Sequence, residues 1–159
     1  MTLTLDDRAA TAIPPRELVS SELFDRLVSR IVTDEQIDQP TAERIMAQAL
    51  GFLKACALNP GAGLSPSPRV DIGWHTFVLH TKDYAEFCQR VAGRFIHHVP
   101  TDDHKCDSAC TGEVPPAEAG PIAKTLATMR AAGIPIDEEL WQVHSAACSQ
   151  CHAGCTDSP

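Results

Sequence analysis

Cysteine and histidine are unevenly spread along this 159-residue chain. Five of seven cysteines and three of seven histidines lie in its last third: His104, Cys106, Cys110, His144, Cys148, Cys151, His152 and Cys155. They form two groups, H-x-C-x-x-x-C and H-x-x-x-C-x-x-C-H-x-x-C, separated by a helical-looking stretch. Thiolate and imidazole at such spacing are the donors that a soft or borderline cation takes. A tetrahedral zinc site draws its ligands from two short knuckles, and Cys106/Cys110 and Cys148/Cys151 supply one each. Closing the chain between residues 110 and 148 would staple its last helices to the rest, which limits the folds open to it. His104, His144, His152 and Cys155 are further candidates, and the choice of four among the eight stays open. Zinc is the expected ion, with iron or copper as alternatives.

The compartment decides how such cysteines are read. The N-terminal run Met1-Thr2-Leu3-Thr4-Leu5-Asp6-Asp7 has no basic and apolar signal pattern. No apolar stretch approaches the ~18 residues of a membrane span. A cytoplasmic chain is therefore expected, where thiols stay reduced and clustered cysteines are metal ligands or redox centres before they are disulfides. The odd total of seven also fits a disulfide framework poorly. Cys148-Ser149-Gln150-Cys151-His152 spells the c-type haem attachment pattern, but that chemistry requires export. The same C-x-x-C lacks the strand–helix setting of a thioredoxin-like redox pair. The net charge of −8, with 13 basic residues and no basic run, argues against nucleic acid as a partner.

Apolar spacing predicts an all-α fold, a compact bundle of about six helices in one domain over residues 16–159, after a flexible arm at 1–15. The first helix is expected from about Arg16 to Gln36, and the second from a Thr41 N-cap to about Leu58. Others are expected near Val70–Leu79, Lys82–Ala92 with Gly93 as its stop, Ala117–Ala132 and Asp137–Ala147. The low aromatic content points to a core mainly of Leu, Ile, Val and Ala. Gly61–Pro68 is a loop placed to border a site. Cys56 and Cys88 are expected as buried helix cysteines, and Tyr84 as a packing residue.

A second constellation lies in Asp71-Ile72-Gly73-Trp74-His75, followed by His80, His97 and His98. On a helix Asp71 and His75 share a face, so the carboxylate can orient the imidazole, or both can hold one metal. If His97 or His98 folds back onto them, a two-His, one-carboxylate set results, as in non-haem iron or catalytic zinc sites. The plain alternative makes Asp71 a helix N-cap and His75 a satisfied structural residue.

The run Val70-Asp71-Ile72-Gly73-Trp74-His75-Thr76-Phe77-Val78-Leu79, with Tyr84, Cys88 and Gly93 after it, resembles the core motif of the glycine-rich domain-containing protein-like family, as in its short bacterial relatives. The resemblance implies a shared helical fold around Trp74 and His75 and supplies no reaction. Phe77 stands where the motif has a second His, and the glycine-rich tail is replaced by the cysteine cluster.

The expected function is a small metal-binding helical protein with a structural Cys/His site, acting as an accessory or interaction module on a protein partner or small molecule. The alternative is a metal-dependent enzyme with Asp71, His75 and His97 or His98 around a catalytic ion, Asp71, His75 and His98 being the first choice. Metal sequestration is weaker, since thioether donors are scarce. A phosphate loop, a nucleophile elbow and a helical H-E-x-x-H are all missing from the sequence. Oligomeric state is left open.

Overall fold

The computed structural model describes residues 13–99, 120–142 and 156–157. The arm residues 1–12 and all eight candidates of the Cys/His cluster lie outside the described residues. The described chain is mostly helical, in five α-helices and two 3-10 turns. The helices are α1 (Ser21–Glu35), α2 (Gln39–Leu58), α3 (Pro68–Leu79), α4 (Thr81–Ala92) and α5 (Pro121–Ala131). The 3-10 turns are Pro15–Leu18 and Glu138–Trp141. Two short strands, β1 (His98–Val99) and β2 (Thr156–Asp157), pair antiparallel, His98 with Asp157 and Val99 with Thr156.

The all-α expectation holds, but the count of about six helices does not. The helix expected from Asp137 shortens to the single turn Glu138–Trp141, after which Gln142 is extended. Ser67 Oγ donates to the Leu140 carbonyl at 2.6 Å, which occupies an acceptor that a continuing helix would use. The rest of that expected helix, 143–147, lies outside the described residues, as do 117–119 of the fifth.

Two boundaries move for reasons of capping. The helix expected from Arg16 divides, because Pro14 and Pro15 open a 3-10 turn and Val19 is extended. Ser20 then caps α1 by accepting from Leu23 N at 3.2 Å. Asp38, and not Thr41, caps α2, its carboxylate accepting from Thr41 N at 3.2 Å. Pro40 fits the first turn of α2, where its missing N–H has no intrahelical partner to lose.

Helix α2 is the centre of the molecule. Ile45, Met46, Ala49, Leu50, Phe52, Leu53 and Cys56 are buried on it, and the remaining helices pack around it. Gly73 lets α3 come close: a Cβ there would lie 2.7 Å from Ala49 Cβ and 3.1 Å from the Ile45 carbonyl oxygen. The aromatic residues are few but concentrated. Of eight in the chain, only Phe95 is exposed. Phe77 stands edge-on to Tyr84 and Phe87, each at 5.1 Å, and Trp74 lies 5.1 Å from Phe52. The core is thus built on aromatic contacts as well as on the aliphatic residues that composition alone suggested.

The Gly61–Pro68 loop is clamped rather than open, with Leu64, Ser65 and Ser67 buried. Thr125 Oγ1 accepts from Ser65 N at 2.9 Å and donates to Ser65 O at 2.8 Å, acting like a short piece of strand. Ser67 Oγ also accepts from Val70 N at 3.2 Å and caps α3. Among the described residues no helix is long and apolar enough to cross a membrane.

Candidate functional site

Gly93 ends α4 in the left-handed conformation, φ 66°, and turns the chain back toward α3. The returning segment is extended, so alternate residues face opposite ways. Ile96 and His98 turn inward, whereas Phe95, His97 and Val99 are exposed. A buried hydrogen-bond chain holds the segment in place. Trp74 Nε1 donates to Tyr84 Oη at 2.9 Å, and Tyr84 Oη donates to the Ile96 carbonyl at 2.6 Å. Burial pushes the Tyr84 phenol well above its ordinary range.

This arrangement delivers His98 to α3. His98 Nε2 lies 3.2 Å from Asp71 Oδ1, with only 10% of the His98 side chain and 22% of the Asp71 side chain exposed. An ionised carboxylate only accepts, so Nε2 carries the proton of this bond and the Nδ1 lone pair is left available. The imidazole stands edge-on to the Trp74 indole at 4.5 Å between ring centres. On its other side the exposed His75 ring lies 5.4 Å away.

The structure therefore brings Asp71, His75 and His98 together. It separates His97, whose ring meets Phe95 at 4.9 Å on the outside. His80 ends α3, its Nδ1 3.0 Å from the Thr76 carbonyl, and stands apart. Asp71 is not the helix N-cap, a role taken by Ser67; it sits one turn in, its N–H on the Ser67 carbonyl. Among the described residues no three His, Cys, Asp or Glu side chains are arranged to hold one ion. Cys56 and Cys88 are buried thiols of α2 and α4, as their helical setting suggested.

A second set of residues, not anticipated from the sequence, fixes the approach to the C-terminal cluster. Gln48 is buried on α2; its Nε2 donates to the Pro135 carbonyl at 3.1 Å. Its Oε1 accepts from Asp137 N at 3.1 Å and from Trp141 Nε1 at 2.7 Å. Beside it Arg44 reaches both oxygens of Asp137, at 2.6 and 2.9 Å, and Glu139 at 2.7 Å. The guanidinium holds the Asp137 carboxyl below the usual carboxylate range. The available signal was an amide among the apolar positions of a central helix, since a polar group there requires partners.

These anchors place the ends of the cysteine-bearing segments. Val99, where residues 100–119 leave the described chain, is paired with Thr156, which follows residues 143–155. Leu140, two residues before the other end of 143–155, is bonded to Ser67, one turn before Asp71.

Fold and site together define a small helical protein with a carboxylate-supported histidine pair on its third helix and on the segment returning to it. The chain belongs to the UCP032817-like family, whose model matches residues 16–109, more than half of the sequence. That span contains Asp71, His75 and His98 and ends before the Cys148–Cys155 group. No curated protein and no solved structure matches the chain.

Proposed function

We propose that this is a small cytoplasmic zinc-binding protein whose ion is structural, held by Cys106, Cys110, Cys148 and Cys151, and which acts as an accessory or interaction module. The observation that carries the reading is the pairing of Val99 with Thr156. It joins one end of each cysteine-bearing segment at a single point, so the two knuckles start with little loop entropy left to overcome. Gln48 and Ser67 tether the chain just ahead of the second segment and favour the same closure. The likeness of the Trp74–Gly93 stretch to glycine-rich domain-containing proteins agrees with a binding module and names no substrate.

The test is elemental analysis of protein purified without a metal-binding tag. About one tightly held zinc per chain is expected. It should be lost in Cys148→Ser/Cys151→Ser together with thermal stability, and kept in His75→Ala. A wild-type chain that folds and carries no zinc overturns the reading.

A further inference from the structure

We infer that His75 and His98 form a second, exchangeable site for a divalent transition-metal ion, with Asp71 as its positioning carboxylate and not a ligand. Asp71 Oδ1 holds Nε2 of His98 at 3.2 Å. A carboxylate on one ring nitrogen directs the other toward a metal and raises its basicity. Nδ1 of His98 and both ring nitrogens of His75 make no hydrogen bond among the described residues, so three imidazole nitrogens remain for coordination.

The spacing of the rings suits one ion. Zinc–nitrogen bonds are about 2.0–2.1 Å, and an imidazole centre lies roughly 1 Å beyond its nitrogen, so two such rings on a tetrahedral ion have centres about 5 Å apart. The His75 and His98 centres are 5.4 Å apart. The two carriers are also held in place: His75 by α3 in the core, His98 by Asp71, the Trp74 edge and the Trp74–Tyr84–Ile96 hydrogen bonds one turn away. A pair fixed in this way binds without the entropy cost of assembling it.

Exposure gives the site its character. His98 backs onto the protein and His75 faces solvent. Two protein ligands leave the other positions to water or to a small donor molecule, as at open sites and unlike closed structural ones. Two imidazoles without thiolate suit zinc, copper or nickel. This site is independent of the cysteine cluster, which differs from it in ligand type and in the lability expected of its ion.

The experiment titrates the full chain, as purified, with zinc chloride while following the ring 15N and 1H resonances of the histidines. His75 and His98 should shift together and saturate, while His80 and His97 stay in place. In His75→Ala, a change at an exposed position, the His98 response should vanish at the same zinc concentration. Asp71→Asn should weaken the midpoint about 10-fold or more, the range for loss of a carboxylate behind a histidine ligand. His75 and His98 signals that stay unmoved at millimolar zinc overturn the proposal, as does an unchanged His98 response in His75→Ala. Only these two rings are read, so the result stands apart from the zinc content that tests the cysteine site.

Discussion

A hydrogen at the Cα of Gly73 is what lets α3 lie against α2. Adding a methyl would set it 2.7 Å from Ala49 Cβ and 3.1 Å from the Ile45 carbonyl, and the backbone cannot give way as a flexible side chain would. Gly73→Ala should therefore destabilise the fold by about 1–3 kcal/mol despite the better helix propensity of alanine, as urea denaturation would read. Tyr84 works through its hydroxyl, which accepts from Trp74 and donates to Ile96. Tyr84→Phe leaves both buried partners unmatched, a cost on the order of 2–4 kcal/mol for two such groups, and loosens the segment that carries His98. The phenol also predicts a pH dependence. Its ordinary value is 10.0, and burial raises it in the folded chain. The unfolded chain releases this proton first, so the contribution is whole below that pH and declines as pH rises above it. Tyr84 is the only tyrosine of the chain, so phenolate absorbance should appear with alkaline unfolding and not before it. A Tyr84→Phe chain should lack that part of the alkaline loss.

At the scale of elements, the fold depends on side chains that bridge pieces far apart in sequence. Gln48 on α2 satisfies three groups of the segment 135–141, and Thr125 on α5 pairs with both backbone groups of Ser65. Gln48→Leu keeps the approximate volume but strands Trp141 Nε1 and the backbone groups of Pro135 and Asp137. A loss of about 2 kcal/mol or more is expected, with hydrogen exchange fastest over 135–141. If exchange there is unchanged, Gln48 is not the anchor. Helices themselves were legible in the sequence because apolar spacing, Gly93 and the prolines mark them. Their starts were less so: Asp38 and Thr41 are both good caps by type, and only the 3.2 Å bond from Thr41 N to the Asp38 carboxylate decides between them. The 3-10 turn at Glu138–Trp141 could not be read locally, because the groups that compete with its ladder come from α2 and from the loop ahead of α3.

For the molecule as a whole, α2 organises the core and the returning segment organises the site. Asp71 and His75 were legible as a pair, four residues apart on a helix. That His98 would join them, and His97 would not, follows from the turn at Gly93 and from Ile96 being bound to Tyr84, which sets the alternation of the extended residues. The proposed zinc acts at this scale too, since closing the chain between residues 110 and 148 removes freedom from the unfolded state. A chelator strong enough to remove it should lower the melting temperature of the wild type and leave Cys148→Ser/Cys151→Ser unchanged.

The amino-acid sequence by itself determined the helical class, the approximate span of each long helix, the burial of Trp74, Tyr84, Cys56 and Cys88, and the pairing of Asp71 with an imidazole. All of these follow from periodicity and residue type, which act over one or two turns. Only the tertiary structure decided which histidine meets Asp71, that the Gly61–Pro68 loop is clamped by Thr125 and Ser67, and that Gln48 holds the chain ahead of its second cysteine group. Each of these is a hydrogen bond between residues well apart in the chain, and its partner is chosen by how the helices pack and not by any local preference.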